Sequence, residues 1–231
     1  TTLFRSGDAR ISEDVLRELH LPPYKPVLDA GTLNVMASFS SWNGQKMHGN
    51  RYLLTDVLRG ELGFSGFVVS DWMAVDQLDA DFYQAVVMAI NAGVDMVMVP
   101  YDYRRFIDTL TEAVNKGDVS QARIDEAVQR ILSVKAQLGL FEAPHTDPAL
   151  LDGVGSSEHR EVARQAVRES LVLLKHENGA LPIAADVEHI LVGGVGADDL
   201  GMHCGGWSID WQGFRGRMTE GTALLDALRA R

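Results

Sequence analysis

Apolar residues along this chain follow two rhythms: short continuous runs, and stripes spaced three and four residues apart. Leu54, Val57, Leu58 and Leu62 form such a stripe and predict a helix over 51–62, closed by Gly63. An earlier helix starts at Ser12, with acidic Glu13 and Asp14 in its first turn and Val15, Leu16 and Leu19 on one face; Pro22-Pro23 stops it. Residues 33–38 are a β-rich run entering a polar loop, Ser40-Ser41-Trp42-Asn43-Gly44. The run Phe67-Val68-Val69-Ser70 predicts a strand buried on both faces, with Asp71 and Trp72 at its carboxyl end. A helix over 82–92 ends at Gly93, a strand over 94–99 stops at Pro100, and helices follow over 104–115 and 120–138. Repeated strand–helix units with buried strands define the class as α/β, with a parallel sheet or a (β/α) barrel.

The rhythm breaks over 141–156, where prolines, glycines, Asp and Ser replace periodicity and predict a linker. Beyond it, Val162, Ala166, Val167, Leu171 and Leu174 predict a helix over 159–175. Ile190-Leu191-Val192 reads as a strand entering a Gly-rich loop over 193–206, and a last helix covers 223–231. One strand and two helices cannot cover both faces of a sheet, so this second unit reads as unfinished.

Composition narrows the function classes. The 231 residues carry 21 Lys and Arg against 32 Asp and Glu, a net charge of −11. Binding to nucleic acid would need clustered basic residues, and no such run exists. Apolar stretches fall well short of the roughly 20 residues that a membrane span requires. The single cysteine, Cys204, excludes an internal disulfide framework and a multi-cysteine metal site, and the seven histidines show no metal-ligand spacing. The opening Thr1-Thr2-Leu3-Phe4-Arg5 has neither an initiator Met nor the pattern of a signal peptide, which fits processing or truncation alike.

Two constellations could carry chemistry. Asp71 is a carboxylate at the end of a hydrophobic strand, where barrels and open sheets build their sites, and Trp72 beside it offers a flat face to a sugar ring. The alternative is that Asp71 only caps the next turn. Trp207 and Trp211, in a glycine-rich loop, could flank a ring-shaped ligand or form a small satellite core. The loop after Val192 fails as a nucleotide fingerprint, because Asp199 stands where the third glycine is needed. Lys46 and His48 could bond sugar hydroxyls, but as loop residues they read as solvated, and Glu61 reads as a surface residue. Neither Ser70 nor Ser208 has a His at triad spacing.

Five motifs in order resemble glycoside hydrolase family 3: Met36-Ala37-Ser38-Phe39-Ser40-Ser41-Trp42-Asn43-Gly44, Lys46-Met47-His48-Gly49-Asn50, Gly66-Phe67-Val68-Val69-Ser70-Asp71-Trp72, the stretch from Ala166 to Lys175, and Gly205-Gly206-Trp207 through Trp211-Gln212-Gly213. The last is similar to the β-glucosidase and exo-β-glucan glucohydrolase branch. The resemblance implies the C-terminal half of a (β/α)8 TIM-like barrel over 1–140, a linker over 141–156, and the start of an α/β sandwich domain over 157–231. It implies a retaining β-glycosidase, without metal or cofactor, acting on a β-glucoside or oligosaccharide. Asp71 matches the nucleophile; Met36, Phe39 and Trp72 match pocket residues; Trp207 and Trp211 match the pair that sandwiches the sugar. Some relatives carry Tyr at the position of Phe39 and Arg at that of Gln77. The acid/base Glu and a Lys-His-Phe sugar-binding motif are expected outside this stretch. The chain therefore reads as the middle of a larger enzyme, in a periplasmic or secreted setting, and would on its own be an open half-barrel with exposed strand edges and little or no activity. The rival expectations are a β-xylosidase or β-N-acetylglucosaminidase of the same family, or a non-catalytic carbohydrate-binding remnant.

Overall fold

The computed structural model describes residues 7–230, so the opening pentapeptide and the last residue of the predicted final helix lie outside the described residues. The chain divides into two units, Thr1–Asp152 and Gly153–Arg231.

In the first unit, β1 (Asp8–Ala9) precedes a helix that begins as α1 (Glu13–Val15) and continues as a wider coil over Leu16–His20. Ser12 caps it as expected, its hydroxyl accepting the Val15 N–H. The chain then re-forms a short helix, α2 (Tyr24–Asp29), which the proline pair initiates rather than forbids. Strand β2 (Asn34–Met36) leads to β3 (Ser41–Trp42) and β4 (Gln45–Lys46). The polar loop expected at 40–44 is thus part of a hairpin: Asn43 and Gly44 take φ of 50° and 83°, as a two-residue turn requires, and β3 also pairs in parallel with β1. The helix α3 (Tyr52–Glu61) buries Leu54, Val57 and Leu58, and β5 (Phe67–Val69) follows.

β2 and β5 pair in parallel, Val35 against Val68 and Met36 against Val69. The predicted strand over 94–99 lies along the other side of β5 but bridges only at Met96. The reason is local: both Asp95 N–H and Met96 N–H donate to the Val68 carbonyl, at 2.8 and 3.0 Å, so the even spacing of a parallel ladder does not develop. The helices α4 (Phe82–Ala92), α5 (Tyr103–Lys116) and α6 (Gln121–Gln137) match the apolar stripes. Gly93 turns α4 into the next segment at φ 116°, where an added Cβ would lie 2.6 Å from Thr55 Oγ1. Val68, Ala85, Val86, Ala89, Ile90 and Val94 form the middle of the core, between β5 and α4.

In the second unit, α7 (Ser157–Ser170) starts from a Ser156 cap, but the helix expected to reach 175 ends at Ser170. Leu171 turns extended, at φ −70° and ψ 130°. Leu171-Val172-Leu173-Leu174 is exposed, so Leu171 and Leu174 find no packing surface to hold their end of the stripe helical. No strand forms at 190–192 among the described residues: Leu191 is fully exposed there, without the flanking strands a buried parallel strand needs. The predicted Gly-rich loop instead contains α8 (Leu200–Cys204), and α9 (Leu224–Arg229) follows. Asp199 explains α8: its carboxylate caps Met202 N–H at 3.0 Å and accepts Gly216 N–H at 2.7 Å.

Candidate active site

The carboxyl end of β5 is built by a sequence of backbone hydrogen bonds handed from one neighbour to the next. Ala37 N–H donates to the Val69 carbonyl at 2.9 Å, and Ser70 N–H donates to the Met96 carbonyl at 2.8 Å. Ser70, fully buried, extends this register with its hydroxyl, which accepts Met98 N–H at 2.8 Å. At Asp71 a side chain takes over: Asp71 N–H donates to His48 Nε2 at 2.8 Å. One residue later Trp72 N–H donates to Asp71 Oδ1 at 2.6 Å. Asp71 itself is buried, so its carboxylate is held against the backbone at the mouth of the parallel strands.

His48 corrects the expectation of a solvated loop residue. It is 1% exposed, on the short turn Met47–Gly49 that packs against α3 and α4. Its neighbour Gly49 seats the turn, since even a Cβ there would lie 3.3 Å from Leu78 Cδ2. Burial pushes the imidazole pKa down to about 4; the Asp71 charge opposes this and Lys46 adds to it. Nε2 is an acceptor in this geometry, so the ring is neutral with its proton on Nδ1. Asn50, 1% exposed, starts α3 by accepting Leu53 N–H at 2.9 Å and fixes the other side of the turn. Nothing local in the sequence marks His48 as buried; the signal available was only its place in a run that returns the chain under α4.

Around Asp71 the apolar candidates remain open. Trp72 is 51% exposed and meets Tyr101 edge to face, with ring centroids 6.2 Å apart at 88°. Tyr101, which sequence reasoning did not single out, reaches this position because it follows the segment paired with β5. Met36, at the end of β2, is half exposed, and Phe39 carries Lys46 Nζ 5.6 Å from its ring centroid. Met36, Phe39, Trp72 and Asp71 all belong to the first unit. Trp207 and Trp211 belong to the second, where Trp207 N–H donates to the Asp210 carbonyl at 3.0 Å and the Trp211 carbonyl at 3.3 Å. This closes a small loop with Trp207 at φ 64° and 80% exposed, so its indole is not a core residue of its own unit. Glu61 is a surface residue as expected, paired with Arg17 at 2.7 Å.

At the opposite end of the same strands lies a second buried carboxylate. Asp95 takes Arg59 and Arg123, the latter at 2.7 Å, as well as Arg130 at 3.1 Å and the Val68 N–H at 2.8 Å. Among the described residues, no group of three His, Cys, Asp or Glu is placed to hold a metal ion, and no helix is long and apolar enough to cross a membrane.

Comparison with known proteins places these features in a family. Residues 6–134 match the glycosyl hydrolase family 3 N-terminal domain. The chain is 37% identical over 233 residues to a lysosomal beta glucosidase of Dictyostelium discoideum, covering 96% of this chain and 28% of that protein. It is 38% identical over 200 residues to a periplasmic beta-glucosidase of Salmonella typhimurium, covering 82% of this chain and 26% of the relative. The crystal structure of an exo-1,3/1,4-beta-glucanase from a Pseudoalteromonas species superposes with a TM-score of 0.86 at 40% identity, over 97% of this chain and 29% of that one. The chain thus spans less than a third of the length of these relatives.

Proposed function

The chain belongs to glycosyl hydrolase family 3, and on that premise we propose that it carries the nucleophile side of a retaining β-glycosidase acting on terminal β-glucosyl residues. In this reading the first unit is the C-terminal half of a (β/α)8 barrel and the second is the start of an α/β sandwich domain. The observation that carries it is Asp71: a buried carboxylate at the carboxyl end of a parallel strand, beside an exposed tryptophan. The names of the relatives, β-glucosidases and an exo-1,3/1,4-β-glucanase, support the substrate class.

The chemistry follows from the charge. The Asp71 carboxylate attacks the anomeric carbon, the bond to the leaving oxygen breaks, and a protonated carboxyl about 5–5.5 Å away donates its proton to that oxygen. Water, deprotonated by the same second carboxylate, then attacks the anomeric carbon of the glycosyl-enzyme and releases Asp71. The second carboxyl is expected outside this chain. Trp72, Met36 and Phe39 are the sugar-facing candidates of the first unit, and the exposed indoles of Trp207 and Trp211 are those of the second. A periplasmic or secreted setting goes with this reading.

The test is turnover of p-nitrophenyl β-glucoside by the complete gene product. The wild type hydrolyses it and Asp71→Ala does not. Unchanged turnover in Asp71→Ala removes the nucleophile assignment, and faster hydrolysis of the β-xyloside would move the substrate class to xylosides.

A further inference from the structure

We propose that His48 is a positioning residue for the Asp71 carboxylate, acting as the hydrogen-bond acceptor that continues the parallel ladder one residue beyond the end of β5. This rests on the reading of Asp71 as nucleophile. Along β5, successive backbone groups are satisfied by neighbouring backbone: Val69 by Ala37 and Ser70 by Met96. At Asp71 the next N–H needs an acceptor in a buried place, and His48 Nε2 provides it at 2.8 Å.

This bond fixes the Ser70–Asp71 peptide plane, and with it the Cα–Cβ direction from which the carboxylate projects. Trp72 N–H then locks Oδ1 at 2.6 Å. The two bonds act in series, so a peptide that rocks at Asp71 also moves the Trp72 N–H that orients the carboxylate. His48 suits the task because its turn is wedged against α3 and α4 and its ring is almost wholly buried. A neutral imidazole also adds no cation beside the nucleophile. In this proposal His48 acts through the Asp71 backbone and not on the sugar.

The test compares three variants in the complete gene product. His48→Gln can place an amide oxygen where Nε2 stands. His48→Asn offers one only at the shorter reach of Nδ1, and His48→Leu offers none. The readout is the limiting rate of inactivation by a 2-deoxy-2-fluoro-β-glucoside and the half-saturating concentration, each per folded molecule by near-UV circular dichroism. We expect Asn and Leu to slow the limiting rate about 10- to 100-fold, with half-saturation changed less than roughly 2-fold. Gln should restore it to within about 3-fold of wild type. Should Leu not fold, the Gln–Asn pair decides. Equal rates for Gln and Asn, or a loss confined to half-saturation or to the folded fraction, would overturn the proposal. Peptide mapping of the wild-type adduct separates the two readings: a label on Asp71 with all variants at wild-type rate overturns only the role of His48, whereas a label elsewhere overturns both.

Discussion

Asp71 and Asp95 are both buried carboxylates at the ends of one set of parallel strands, and their surroundings could hardly differ more. Asp95, at the entry to the segment beside β5, is surrounded by Arg59, Arg123 and Arg130, and the guanidinium groups of Arg59 and Arg123 also hold the carbonyls of Gly66, Ile90 and Val94. It is a clasp that ties α3, α6 and the strand entrances together. Burial, with Arg130 and Arg123 alongside, lowers the Arg59 pKa from its ordinary value, and Asp95 opposes that shift. Asp71, at the exit of β5, meets the N–H of Trp72 and is supported through its own backbone by a neutral histidine. One end of the strands spends its charge on cohesion; the other holds a carboxylate against the backbone N–H of Trp72. Under the proposed barrel reading, this contrast is the one expected between the amino ends of strands, which serve stability, and the carboxyl ends, which serve chemistry.

Exchanging the two losses breaks the comparison most sharply. Asp71→Asn should cost on the order of 10³-fold or more in kcat while leaving the urea midpoint nearly unchanged. Asp95→Asn should do the reverse, destabilising the fold by about 3–5 kcal/mol because three arginines lose their buried counter-charge. Its surviving folded fraction should keep the turnover of wild type. If Asp95→Asn lost kcat in the folded fraction instead, the division of labour would fail.

The next effect is pH-dependent and belongs to His48. Its pKa falls from 6.5 in the unfolded chain to about 4 in the fold, so the unfolded state binds the extra proton between those values. Stability should therefore be fully present above pH 6.5 and decline toward pH 4, by about 3 kcal/mol in all. Urea titrations of wild type and His48→Gln across this window measure it: the variant should lose the slope. An identical slope in both would place the pH dependence elsewhere.

The smallest effect tests the frame that carries both carboxylates. Gly93→Ala forces an L-residue to φ 116° with its Cβ 2.6 Å from Thr55 Oγ1. A loss of about 1–3 kcal/mol in thermal unfolding is expected, shared equally by activity and fold. Thr55→Ser leaves that clash in place, whereas Thr55→Ala in the same background should recover part of the loss. No recovery would show that the backbone angle alone sets the cost.

How much of this was legible in the sequence depended on whether the deciding contacts were local. The starts at Ser12 and Ser120, the Gly93 terminus and the strand that delivers Asp71 are all written within a few residues, whereas the Ser156 cap lay inside the stretch read as linker. His48 was not legible, because its burial comes from α3 and α4, elements that only the tertiary fold brings over the turn. The hairpin was signalled by Asn43-Gly44 but lies among polar residues that look like a loop. In the second unit, Leu171 to Leu174, Ile190 and Leu191 have the composition of buried elements yet are exposed, since composition names a preference and not the neighbours that satisfy it.

The central claim is that Asp71, and not another carboxylate, forms the bond to sugar. Incubating the complete gene product with a 2-deoxy-2-fluoro-β-glucoside, then digesting it and sequencing the labelled peptide by mass spectrometry, tests it directly. The account predicts one fluoroglucosyl group on the peptide containing Ser70-Asp71-Trp72; a label on any other residue, or hydrolysis without a trapped adduct in an enzyme that turns over the glucoside, would contradict it.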